Sequence, residues 1–290
     1  MNTITLFIAG FKIKLQSEAD IKISLEEGYL PFVSTDNKGE ADVCIYIKKH
    51  LPVKYLNKKD LIFEAKENEQ KFYSIYRENQ YYKFIIYKQD KKNEIQQIAF
   101  LDESLTKWTI YAEPSVNDKT IYPFLYPLGP LVLYYLTVKF EAIMIHASGV
   151  YDGEKGWLFA GFSGAGKSTM ADLWLKSGSS VINDDRLIIR NTEKGYIMYN
   201  TPMFYNDLPK ETDLNSINII KHAGKNTIKK LNGAKAVSQL MACCIQHDYN
   251  SNFIEHHLQF ISNLCDNIPV YELGFLPDKK IIDFIKTHAG

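Results

Sequence analysis

The stretch that most constrains this chain is Ala160-Gly161-Phe162-Ser163-Gly164-Ala165-Gly166-Lys167-Ser168-Thr169. Gly161, Gly166, Lys167 and Ser168 fall in the register G-x-x-x-x-G-K-[ST]. The apolar run Trp157-Leu158-Phe159-Ala160 before it predicts a short buried strand. Met170, Leu173, Trp174 and Leu175 after it predict a helix from Ser168 to Lys176. Strand, glycine loop and helix in that order can cradle a phosphate. Glycines let backbone N–H groups turn inward around an anion, and the helix N-terminus adds partial positive charge. Ser163, Gly164, Ala165, Gly166 and Thr169 would complete the cradle. Lys167 would bring a full charge to the β- and γ-phosphates of a nucleotide, and the Ser168 hydroxyl would face Mg²⁺.

A second feature sharpens the first. Ser179-Ser180-Val181-Ile182-Asn183 predicts the strand that follows the loop helix, and it ends in Asp184-Asp185. Such a strand end can lie beside the loop in a parallel or mixed sheet. One carboxylate there could hold Mg²⁺ and the other could act as base toward an attacking hydroxyl. The plainer alternative is an acid pair capping a turn. Adjacent acids near a polyphosphate repel unless a cation lies between them, which favours the functional reading. His146 is the third candidate. It lies in the strand expected over Ile143–Tyr151, where it ends the buried-looking part ahead of a kink or bulge near Ala147 to Gly149. Whether it shares the loop's end of the sheet depends on a register that spacing leaves open. With an ordinary pKa near 6.5 it could change charge beside a phosphate.

The chain of 290 residues is comfortable for two domains. Residues 1–122 predict a β-rich N-terminal domain. Ile4–Ile8 and Phe11–Leu15 flank the hairpin signal Ala9-Gly10, and Phe72–Tyr76 and Tyr81–Tyr87 flank Arg77-Glu78-Asn79-Gln80. Val43–Ile47, Ile95–Leu101 and Trp108–Tyr111 predict further strands. The aromatics there read as cross-strand pairs rather than a base-stacking surface. Residues 123–290 predict a nucleotide-binding domain that opens with a packing helix from Leu128 to Phe140. Later elements are expected at Arg186–Arg190, Tyr196–Asn200, Ile217–Ile220 and Ile228–Leu231. Helices are expected over Gly233–Gln246, Glu255–Cys265 and Lys279–Thr287, with a strand at Val270–Leu273. The fold class is α/β, a mixed-sheet phosphate-loop domain preceded by a smaller β-rich one.

Lys plus Arg and Asp plus Glu balance at 34 each, so no global charge points to nucleic acid or to a membrane surface. Cys44, Cys243, Cys244 and Cys265 form no C-x-x-C pair and read as reduced thiols of a cytoplasmic protein. His247, His256 and His257 match no zinc spacing. No apolar run approaches the roughly 18–20 residues of a bilayer span, and the N-terminus shows no signal-peptide pattern.

The set His146-Ala147-Ser148, Gly161 to Thr169, and Val181-Ile182-Asn183-Asp184-Asp185 resembles the kinase domain of the HPr kinase/phosphorylase family. That domain shares its core with ATP-dependent phosphoenolpyruvate carboxykinase. The resemblance covers roughly residues 128–290. Thr201-Pro202, Gly224-Lys225-Asn226 and Pro269–Leu273 look like the HPr kinase-like proteins found beside peptide-modifying cassettes. The resemblance implies that Lys167 binds β/γ-phosphates, Ser168 and Asp185 hold Mg²⁺, Asp184 deprotonates a serine hydroxyl, and His146 sits near the transferred phosphate. It implies ATP or ADP with Mg²⁺ as cofactors and a serine-containing peptide, protein or small molecule as acceptor. A homo-oligomer is compatible with it. The leading expectation is a kinase acting on a hydroxyl. A non-catalytic nucleotide-binding regulator or scaffold, and a phosphorylase acting on phosphoserine, are the alternatives.

Overall fold

The computed structural model describes residues 1–36, 38–52, 60–78, 80–247 and 250–289. The chain is mixed α/β and divides into two compact units. One gathers Met1–Lys139 with Pro202–Leu208 and His247–Tyr249. The other gathers Phe140–Thr201, Pro209–Gln246 and Asn250–Gly290.

The first unit is built on strands β1 (Asn2–Ile8), β2 (Phe11–Ser17), β3 (Lys22–Ile23), β4 (Val33–Ser34), β5 (Val43–Lys49), β6 (Leu61–Glu67), β7 (Gln70–Glu78), β8 (Tyr81–Tyr87), β9 (Ile95–Asp102), β10 (Lys107–Ala112) and β11 (Thr120–Ile121). Its main sheet runs β4-β1-β2-β5-β10-β9-β8-β7-β6, and β3 pairs with β11 apart from it. Alternation explains the inward face of β2, where Phe11, Ile13 and Leu15 are all buried. β1 and β2 form the hairpin expected around Ala9-Gly10. β7 and β8 pair as the second expected hairpin; its turn residue Asn79 lies outside the described residues. Helix α1 (Leu128–Lys139) is apolar on every side and is buried along nearly its whole length. Its Tyr135 packs on Tyr82, Phe84 and Trp108, with ring centroids 5.2–5.9 Å apart. This helix therefore groups with the first unit, where the sequence pattern had placed it at the opening of the second.

The second unit contains β12 (Ala142–Tyr151), β13 (Gly156–Ala160), α2 (Lys167–Lys176), β14 (Ser180–Asn183), β15 (Arg186–Thr192), β16 (Gly195–Asn200), β17 (Glu211–Asp213), β18 (Ser216–His222), β19 (Thr227–Leu231), α3 (Gly233–Met241), α4 (Ser251–Asn267), β20 (Val270–Phe275) and α5 (Lys280–Ala289). Its sheet runs β17-β16-β15-β12-β13-β18-β20-β19, with β14 also paired to β12. Helices cover both faces. Trp157 and Phe159 of β13 pack with Trp174 of α2 and Ile281 and Ile285 of α5. Leu158 and Ala160 point the other way, among Leu240 of α3 and Phe260, Ile261 and Leu264 of α4. The run Trp157–Ala160 is apolar at successive positions because both of its faces are covered. No helix among the described residues is long and apolar enough to cross a membrane.

Two expectations need correction. The helix over Gly233–Gln246 stops at Met241. Beyond it, Ile145 bridges to Cys244, the Ile245 N–H donates to Met144 O (2.9 Å), and the His146 N–H donates to Cys243 O (3.0 Å). β13 pairs with β12 only from Ala147 onward. The first half of β12 therefore has backbone groups to satisfy on that edge, and residues 243–245 satisfy them in place of a last helical turn. His146, for its part, lies in mid-strand rather than at the end of its buried part.

One ion pair ties the rim of this sheet to α5. Burial by itself would raise the Asp152 carboxyl, but the Lys286 ammonium at 2.8 Å and the N–H groups of Lys155 and Glu154 outweigh it and hold the pKa at about 2. A depressed carboxylate pKa stabilises the fold above its unfolded value near 3.8 and loses that contribution as pH falls toward about 2. Asp152→Asn should thus cost about 1–2 kcal/mol at pH 7, below the full linkage value because Lys286 is half exposed. Urea unfolding at stepped pH checks this. The gap between variant and wild type should close between pH 4 and 2, and a gap constant with pH would refute the assignment.

Candidate functional site

The glycine loop leaves β13 at Ala160 and enters α2 at Lys167. Gly161 passes so close to β18 that a Cβ there would sit 2.8 Å from the Ile220 carbonyl oxygen. Gly166 adopts φ +97° at the position before α2, and a Cβ on it would meet Phe275 Cζ at 2.7 Å. Both positions need glycine for space, and Gly166 also needs it for backbone conformation. The Ala165 N–H donates to Phe162 O (3.1 Å), closing the turn, and the Met170 N–H donates to Gly166 O (2.9 Å), opening the helix. Lys167 is 7% exposed, and its Nζ donates to the carbonyls of Gly161 (3.0 Å) and Phe162 (3.2 Å). Its ammonium is thus held inside the curve of the loop.

Register brings the acid doublet to this loop. In β12, Ala147 faces Ala160 of β13 on one side, and Gly149 faces Asn183 of β14 on the other. β13 and β14 both run antiparallel to β12, so the loop and the doublet leave the sheet at the same end. This settles the register left open for His146, which pairs with Arg186 of β15 just past the doublet. Asp184-Asp185 interrupts what would be one strand from β14 to β15. Buried Asn183 shapes the interruption: its Oδ1 accepts the N–H of Asp185 (2.9 Å) and more weakly that of Arg186 (3.4 Å). The Asp185 carbonyl accepts the Ala147 N–H (3.2 Å), which ties the turn back to β12.

The two carboxylates part company. Asp184 lines a cleft of about 340 Å³ with Ser163, Gly164, Gly166, Lys167, Ser168, Thr169, His146 and His222. Asp185 Oδ2 accepts from Arg186 Nε at 2.9 Å, and its Oδ1 lies 3.7 Å from His146 Nε2. Burial lowers the His146 pKa, the positive charge of Lys167 adds to this, and Asp185 only partly offsets it. The imidazole is therefore held neutral to lower pH than a free histidine. Beneath the loop, burial raises the Cys243 thiol pKa, with Lys167 and the Gly161 N–H opposing.

No family model matches the chain. No curated protein matches it either. Among solved structures it is similar to the Hpr(Ser) kinase/phosphatase from Coxiella burnetii. That match has 10% identity and a TM-score of 0.29, and it covers 50% of this chain and 93% of the other. A likeness that distant carries no functional argument.

Of the residues singled out in the sequence, Ser163, Gly164, Gly166, Lys167, Ser168, Thr169, Asp184 and His146 meet in one cleft. Gly161 and Ala165 lie under the loop: the Gly161 carbonyl receives Lys167, and Ala165 packs on the core beside α2. Asp185 stands beside the cleft, engaged with Arg186 and His146. Sequence reasoning read Asn183 only as completing its strand and passed over two further contributors, Arg186 and His222. For His222 the deciding fact is a strand pairing that spacing does not show. The residue ends the strand that pairs in parallel with the loop strand, and ligands gather at such carboxyl ends.

Proposed function

We propose that this chain is an HPr kinase-like phosphotransferase that moves the terminal phosphoryl group of a nucleotide to a hydroxyl. The acceptor class is serine, in a peptide, a protein or as the free amino acid. The carrying observation is the convergence of glycine loop, Lys167, Ser168, Asp184 and His146 in one cleft at the carboxyl end of β13. Residues 140–201, 209–246 and 250–290 make up the unit that supplies every one of these groups, and on this reading they form the nucleotide-binding domain.

The donors present suit Mg²⁺. Ser168 offers a hard oxygen ligand inside the cleft and Asp185 a carboxylate beside it, and Mg²⁺ typically takes one or two protein oxygens and completes its shell with phosphate and water. When bound, Mg²⁺ would neutralise charge on the phosphate oxygens. The chain's own residues do the rest. Lys167, already inside the loop, bears on the bridging and terminal phosphates. Asp184 accepts the hydroxyl proton as the new bond forms. His146, held neutral by burial and by Lys167, can donate an N–H to the migrating group without a second full charge beside Lys167. Asp185, held by Arg186, stands 3.7 Å from that imidazole. Catalysis of this kind is positioning plus charge stabilisation.

The test is incubation with γ-labelled ATP and Mg²⁺ beside serine, serine peptides and a cell lysate. Label should move to a serine hydroxyl. ATP binding without transfer to any acceptor would replace the kinase with a nucleotide-binding regulator. Release of inorganic phosphate or pyrophosphate from a phosphoserine substrate would show the reverse reaction instead.

A further inference from the structure

The cleft has two flanks, and only one is used by the reading above. On the β12 side stand Asp184 and His146; on the β18 side stands His222. β18 pairs in parallel with β13, with Ala160 opposite Ile219. Three residues further on, His222 rises beside the loop rather than beneath it. One face of its ring stacks on buried Phe275, with centroids 5.3 Å apart and planes at 27°. The edge bearing Cε1 and Nε2 faces Gly166: a Cβ built there would lie 3.1 Å from Cε1 and 3.3 Å from Nε2. The side chain is exposed to the cleft, and neither ring nitrogen has a hydrogen-bond partner among the described residues. Phe275 is in turn fixed by the core under α2 and α5. The imidazole is thus oriented by packing, with its nitrogen edge aimed across the last glycine of the loop.

Resting on the phosphotransferase reading, we propose that His222 binds the phosphates of the nucleotide that are not transferred. Asp184 and His146 mark the reacting end of the polyphosphate on the β12 flank. A chain lying along the loop then reaches the opposite flank with its nucleoside-proximal phosphates, and His222 Nε2 donates to one of their oxygens. Gly166 is what lets the ring approach this closely, since any side chain there would fill the space between ring and loop.

The experiment uses the full chain and titrates Mg·ADP and Mg·ATP by calorimetry. His222→Phe keeps an aromatic ring on Phe275 and removes the donor; His222→Gln keeps a donor. Loss of a hydrogen bond to a charged group predicts about ten-fold weaker binding of both nucleotides in the Phe variant. The Gln variant should recover most of that loss. Thermal melting of both variants should match wild type, and in turnover the Phe variant should raise the nucleotide KM without moving the acceptor KM. Unchanged nucleotide affinity in the Phe variant would overturn the assignment. So would a loss confined to ATP, which would put the contact on the transferred phosphate, or a change only in acceptor KM. If the wild-type chain binds neither nucleotide, the phosphotransferase reading fails and His222 falls with it. If wild type binds and the variants bind equally well, only His222 is wrong.

Discussion

Lys167→Ala is expected to slow phosphoryl transfer by roughly a hundred-fold or more, the scale seen when one preorganised charge stabiliser is removed. The geometry explains why one side chain should matter so much. Its ammonium is nearly buried and already points into the loop, held by the Gly161 and Phe162 carbonyls. It needs little reorganisation to meet an anion, and the low-dielectric surroundings strengthen its field. Arginine would not substitute, because a planar fork does not fit where a point charge is held by two carbonyls of one tight turn. The same variant carries an internal check that does not depend on turnover. Lys167 is one of the groups that depress the His146 pKa. Removing it should raise that pKa, which an NMR titration of the imidazole would read directly. Wild-type turnover in Lys167→Ala would contradict the phosphate-loop assignment. An unmoved His146 would contradict the placement of the ammonium beside it.

Much of this site was legible because its signals are local. The loop register, the buried strand before it and the helix after it all lie within residues 157–176, and each follows from spacing and hydrophobic pattern. Asp184-Asp185 stood out as an acid pair at a strand end. What spacing could not supply was the pairing partner of each strand. His146 meets the loop because Ala147 aligns with Ala160, a long-range register that no local pattern encodes. For the same reason the doublet did not read as a break in one long strand: β14 and β15 lie along successive parts of β12, and the break is seen only once β12 is in place.

The misreadings have similar causes. The pattern from Gly233 to Gln246 stays helical past the point where the helix ends. The competing demand came from β12, whose unpaired edge draws residues 243–245 into a bridge. α1 shows apolar residues all round, which states that it is buried but not among which elements. His222 was passed over because it sits next to Ala223-Gly224-Lys225-Asn226 and so looks like the start of a turn. Its place beside the loop depends on the parallel pairing of β18 with β13, which sequence spacing does not reveal.

Asp184→Asn tests the division of labour within the doublet. The substitution keeps the size of the side chain and removes its charge and basicity. If Asp184 is the base toward the acceptor hydroxyl, transfer should fall by roughly a hundred- to ten-thousand-fold. Nucleotide affinity should stay within a few-fold, since the loop, Lys167 and Ser168 are untouched. Asp185 is badly placed to take over, because Arg186 holds one of its oxygens at 2.9 Å and the other faces His146 at 3.7 Å. Equal losses of transfer and of Mg²⁺-dependent nucleotide affinity would instead make Asp184 the metal ligand. That outcome would leave the base to be found elsewhere on the β12 flank, where His146, held neutral by burial and by Lys167, is the group able to accept a proton. The two results separate cleanly because binding and transfer are measured on the same protein with the same nucleotide. A variant that retained both would remove the acid doublet from the chemistry and confine its role to the turn that Asn183 shapes.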